Sequence, residues 1–199
     1  MKKNRLIPAI LAVLLVISLW MNVQHYAEAE RTRRMLFNGL YHQLSNAAFN
    51  LDGLLTNLEN GVTEDATIRQ MLGNVADGFL QVDTILGQYA TYFPEERVHF
   101  VSTFGFEFIA YSLGGGGGTA SGARYRGVLA DDVISERDVQ YITALRDGAN
   151  GLVSQMQNPE TGLGEDPKLT IDRLNRILGE FFDVWSFHNE GGPYYLLLD

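Results

Sequence analysis

Apolar positions along this chain fall into blocks of different period. From Leu6 to Trp20 only Pro8 and Ser18 interrupt an apolar run, and Met21 and Val23 extend it to 18 residues. That is about the lower limit for a helix crossing a bilayer. Beyond it the period changes. Phe37, Leu40, Leu44, Ala47, Leu51, Leu54 and Leu58 alternate steps of three and four, which keeps one apolar seam facing a partner. Asn60-Gly61 supplies a C-terminal stop. Thr63 is a suitable N-cap for a second helix, with Glu64 and Asp65 in its first turn. Ile68, Leu72, Val75, Phe79, Val82, Leu86, Tyr89 and Phe93 then repeat the alternation, so the two segments read as an antiparallel helical hairpin.

Pro94-Glu95-Glu96 has the form of a third helix start. Val98, Val101, Phe104, Phe108 and Tyr111 share a face there, and Phe100, Phe106 and Ile109 widen it. This segment is expected to be the most buried helix; its aromatic and β-branched content makes a strand the second reading. Five glycines from Gly114 end it and open a loop, residues 114–127, expected to be flexible and exposed. The run lacks the pattern of a phosphate-cradling loop. Ser135 with Asp138 forms a capping box in which Asp replaces the usual Glu or Gln. The helix it opens runs to about Gln157 through Val139, Ile142, Leu145, Leu152 and Met156. Asp166-Pro167 reads as the cap of a last helix, striped by Ile171, Leu174, Leu178, Phe181 and Trp185. The fold class is therefore all-α: one N-terminal transmembrane helix, continuous with the first exported helix, and an antiparallel bundle of about five exported helices. Its divisions are a cytoplasmic N-terminus (1–5), a membrane anchor (6–23), the bundle (24–190) and a short tail (191–199).

Charge sets the topology. Lys2, Lys3 and Arg5 precede the apolar run, so the positive-inside rule leaves the N-terminus in the cytoplasm and the rest outside a cell membrane crossed once. A rival reading is a secretory signal cut after Ala27-Glu28-Ala29. An 18-residue span outweighs so common a tripeptide. Residues 1–34 hold six of the 15 basic and two of the 24 acidic residues; residues 35–199 keep nine and 22, a balance of −13. So acidic a domain repels phosphate backbones, which argues against nucleic acid.

Candidate chemistry adds little. Cysteine is absent, so disulfides, thiolate metal sites and a Cys nucleophile are excluded. His25, His42, His99 and His188 are scattered without metal-ligand spacing, and Asp131-Asp132 is a loop pair leading into the Ser135 cap. No hydrolase or nucleotide motif occurs. The expectation is a protein without catalytic, metal or cofactor residues. Gly39 and Gly53, fourteen residues apart on one face of the first exported helix, weaken it by about 1 kcal/mol each. They mark either tolerated drift or a docking face for another helix. With Tyr41, His42 and Asn46 they form a candidate interaction surface, and Trp185 belongs to an aromatic C-terminal cluster of interface type.

The order of features, an anchor, "YHQLSNAAFNLDGLL", a second seam helix, "EERVHFVSTFGFEFIAYSL", an acidic loop and "ISERDVQYITALRDGANGL", resembles the N-terminal helical region of the YpeB spore germination family. YpeB chains continue into PepSY-type domains, which these 199 residues do not contain, and the glycine run has no counterpart there. The resemblance implies a non-enzymatic, membrane-held adaptor whose partner is a cell-wall, cortex-lytic hydrolase in sporulation or germination. Two other classes are open: a sensor or ligand-binding bundle acting through a partner, and a homo-oligomeric structural protein whose Phe37–Leu58 seam pairs between chains.

Overall fold

A computed structural model describes residues 6–62, 65–98, 105–118, 124–130, 133–185 and 192–197. It is mostly helical: α1 (Leu6–Glu59), α2 (Asp65–Tyr92), α3 (Phe106–Leu113), α4 (Glu136–Met156) and α5 (Ile171–Val184). Two three-residue strands, β1 (Gly116–Gly118) and β2 (Arg124–Arg126), and a 3-10 segment, Pro193–Leu197, complete it. The chain divides into two compact units, Met1–Leu36 and Phe37–Asp199.

In the first unit α1 is apolar all round and exposed all round. Ile10, Leu11, Val13, Leu14, Leu15, Val16, Leu19 and Trp20 are each more than half exposed. A helix with no apolar stripe to hide needs an apolar surrounding, and α1 is long and apolar enough to cross a membrane. Beyond the apolar stretch Glu30 pairs with Arg33 at 2.5 Å and Arg34 at 3.0 Å.

The second unit starts at Phe37, so residues 24–36 fall with the first unit and not with the 24–190 division read from sequence. Its seam is buried as the spacing requires: Phe37, Leu40, Leu44, Ala47, Leu51 and Leu54 are at most 1% exposed. Phe37 stacks on Tyr89 at 5.4 Å, Ala47 lies against Gly78, and the Asn57 amide meets the Met71 sulfur at 3.2 Å. Contacts thus climb α1 as they descend α2, and the seam closes within one chain. The loop signal also holds. Gly61 takes φ 73°, Gly61 N donates to Leu58 O at 3.0 Å, and Val62 N donates to Asn57 O at 2.9 Å, which is a Schellman stop. The Thr63 and Glu64 cap lies outside the described residues.

Three expectations are corrected. The third helix does not begin at Pro94. There the chain makes a turn, with Glu96 N donating to Phe93 O at 2.9 Å, and Tyr89 Oη donates to the Glu96 carboxylate at 2.5 Å. A proline before acidic residues suits a turn as well as a first helical turn. Helix α3 starts at Phe106; Phe106, Phe108 and Ile109 of its expected apolar face are buried, while Tyr111 is 53% exposed. Val101, Phe104, Phe100 and His99 lie outside the described residues. The 114–127 stretch is not simply an exposed loop, because Gly116–Gly118 pairs antiparallel with Arg124–Arg126. Tyr125 and Val128 are buried, Gly116 has φ 82°, and a Cβ on Gly127 would stand 2.0 Å from Gly114 O. The last helix is capped by Thr170, whose Oγ1 accepts from Arg173 N at 3.3 Å. Asp166 instead closes its own turn, accepting from Lys168 N at 2.9 Å and from the Arg173 guanidinium. The tail joins the core: Tyr194 and Leu197 are each 1% exposed.

The Ser135 cap forms as a complete capping box with Asp138. Asp138 is fully buried and accepts from Arg126 at 2.7 Å, which ties the β2 strand to the start of α4.

Gly127→Ala should destabilise the protein by about 1–3 kcal/mol, because the added methyl meets backbone atoms that cannot move aside. Gly115→Ala, where a Cβ meets nothing within 4 Å, should leave the midpoint of chemical denaturation unchanged. Equal midpoints for the two variants would contradict this packing.

Candidate functional site

The sequence candidates occupy three different environments. Gly39 and Gly53 lie against α2 of the same chain in ordinary contact: a Cβ on Gly39 would stand 3.4 Å from Ile85 Cδ1, and one on Gly53 3.4 Å from Met71 Cε. Tyr41 is buried at 7% exposure, its ring edge-on to His42 at 5.8 Å. His42 and Asn46 are exposed on the outer side of α1. Trp185 is 3% exposed at the end of α5, far along the chain from the α1 group.

The structure therefore separates what sequence reasoning grouped. The outer side of α1 carries His42, Asn46 and Phe49, at spacings of four and three, and Phe49 is 77% exposed. Phe49 was missed, although a signal was there: it falls between Ala47 and Leu51, out of phase with the seam, so a helix must turn it outward. A single exposed aromatic beside hydrogen-bonding side chains can anchor a partner surface.

Trp185 belongs to a second feature. Its ring stacks on Phe181 at 5.6 Å and meets Tyr141 and Tyr194 edge-on, each at 5.6 Å. Gly148 makes this possible, since a Cβ there would stand 2.9 Å from Trp185 Nε1. Beside that contact, α4 and α5 leave a groove of about 190 Å³. It is lined by Leu152, Phe181, Val184 and Trp185, by Gly148 and Gly151, and by Glu180 and Gln155.

Two electrostatic features lie elsewhere. Asp83 on α2 has its carboxyl pushed above the usual range by burial and then by the Glu107 charge, against a hydrogen bond from the Glu107 backbone N–H. That bond supplies the cap that Gly105, without a side chain, cannot give α3. Asp166 is held below the usual range by the Lys168 backbone N–H and then by Arg173. Both roles are structural. Tyr141 is fully buried, bonded to Ser112 Oγ at 2.5 Å, and burial pushes its phenol up. Among the described residues no group of three or more His, Asp or Glu could hold a metal ion. His25 and His42 are exposed; His188 and Asp131-Asp132 lie outside the described residues.

Compared with known protein families, curated proteins and solved structures, the chain matches none.

The Asp83 carboxyl predicts a pH signature. Its folded pKa lies above the unfolded value, so its charge opposes folding at neutral pH and this penalty disappears as pH falls through the folded pKa. Asp83→Asn keeps the acceptor for Glu107 N–H and should raise the thermal midpoint at pH 7, with the gain vanishing in acid where both side chains are neutral. A variant less stable than the parent at pH 7 would refute this account.

Proposed function

We propose that the protein is a single-pass, membrane-anchored helical adaptor without catalytic activity, its antiparallel bundle held outside the cell membrane and its N-terminus in the cytoplasm. The observation that carries the reading is the contrast along α1: apolar and exposed on every side over residues 10–23, then buried on one side only from Phe37. The first pattern suits lipid and the second suits a bundle with one side left for a partner. Lys2, Lys3 and Arg5 support the orientation. The outer stripe of His42, Asn46 and Phe49 is the contact surface of this reading. A cell-wall hydrolase as partner, and a role in sporulation or germination, rest on the resemblance to YpeB.

A homo-oligomer built on the Phe37–Leu58 seam is disfavoured, because α2 of the same chain already covers that seam. A sensor bundle would have to signal through the same partner stripe.

Cross-linking the full-length protein in its native membrane, followed by capture and N-terminal sequencing, tests the reading. Retained Met1 and an attached cell-wall hydrolase are expected. Phe49→Ser should abolish the cross-link while changing stability by less than about 0.5 kcal/mol, as for an exposed site. A new N-terminus at Glu30 would instead establish cleavage after Ala29 and end the anchor reading. An undiminished cross-link in Phe49→Ser would remove the α1 stripe from the interface.

A further inference from the structure

The groove between α4 and α5 is not used by anything above. Ligand pockets for small molecules run to about 300–1,000 Å³; at about 190 Å³ this one is too small for a cofactor and suits one side chain. Its lining is mostly apolar, with Leu152, Phe181, Val184 and Trp185. Its lining also holds a single charge, the exposed Glu180. Arg173, which donates to Gln155 O at 2.7 Å, is paired with Asp166. An apolar slot with a carboxylate in its lining, on a domain carrying −13 over residues 35–199, complements a long aliphatic stem ending in a positive charge.

We propose that this groove receives a lysine or arginine side chain of a partner polypeptide, the stem lying against Leu152, Phe181 and Trp185 and the cationic head meeting Glu180. The assignment deepens the adaptor reading and rests on it, by naming a basic partner segment. Gly151 lines the groove. It is exposed, and a Cβ there meets nothing within 4 Å. A larger residue would occupy the space the incoming stem needs, without straining α4.

Trp185 gives the readout, since the only other tryptophan is Trp20. The full-length chain bearing Trp20→Phe, in detergent, is titrated with Nα-acetyl-lysine amide, Nα-acetyl-arginine amide and the uncharged Nα-acetyl-norleucine amide while Trp185 emission is followed. Saturable responses are expected for the two basic probes, at least tenfold tighter than for norleucine. Glu180→Gln should bring lysine and norleucine within twofold of each other. Gly151→Leu should lose the response while circular dichroism and thermal midpoint stay at or above the parent's. No saturable response to either basic probe, equal binding of norleucine by the parent, or an unchanged response in Gly151→Leu would each overturn the assignment. These probes report on the groove alone, so the cross-linking result for the anchored adaptor stands or falls separately.

Discussion

A side chain as large as phenylalanine leaves water completely only where several elements converge on it, and Phe106 sits at such a point. Its ring stacks on Phe79 of α2 at 5.7 Å, on Phe181 of α5 at 5.6 Å, and meets Phe182 edge-on at 5.1 Å. From Phe181 the contacts pass to Trp185, Tyr194 and Phe108, which returns to α3 and touches Tyr125 of β2 at 4.5 Å. Each such pair adds about 0.5–1.5 kcal/mol beyond the area it buries. The closed path through α3 makes the placement of α5, the 3-10 segment and the hairpin mutually dependent.

That dependence falls on the shortest helix. Eight residues cannot sustain a helix alone in water. Six of them, Phe106, Phe108, Ile109, Ala110, Ser112 and Leu113, are buried, so α3 exists because its neighbours surround it. Its start borrows a cap from Asp83 on α2, at the cost of holding that carboxylate near Glu107. Its end borrows close backbone approach from Gly127, beside which no side chain fits. The glycines read as freedom in the sequence serve here as clearance.

How legible this was depended on whether a feature is local. The α1 and α2 seams, the Gly61 stop and the Ser135 box are set by spacing and by side-chain-to-backbone bonds within one turn, and all three stood in the sequence. The start of α3 did not, because Pro94 followed by Glu95 and Glu96 satisfies a turn and a helix alike. Asn175, distant in sequence, helps to hold that turn, its Nδ2 donating to Arg97 O at 2.8 Å beside the Tyr89–Glu96 bond. Asp166 misled although its bonds are local, because a carboxyl that accepts from Lys168 N and Arg173 closes a turn as readily as it caps a helix. Of the candidate site, His42 and Asn46 could be placed outward from the seam's phase, and Phe49 could have been. The α4–α5 groove could not, since it arises from Gly148 and Gly151 opposite residues of another helix.

The two uses of α1 follow from one constraint on helices, that a stripe can be buried only once. Across the apolar stretch there is no stripe, and the helix is long and apolar enough to cross a membrane. From Phe37 onward the stripe is narrow and α2 covers it, with Ala47 lying against Gly78. Pairing the same seam with a second chain would require α2 to leave, exposing Val75, Phe79, Val82 and Tyr89, each at most 1% exposed now. Burying a large apolar side chain is worth about 1.5–3 kcal/mol, so four such losses are comparable to the whole stability of a domain, about 5–15 kcal/mol. A second chain that packed on α1 would therefore have to meet its other side, where Phe49 is exposed beside His42 and Asn46, without disturbing the seam.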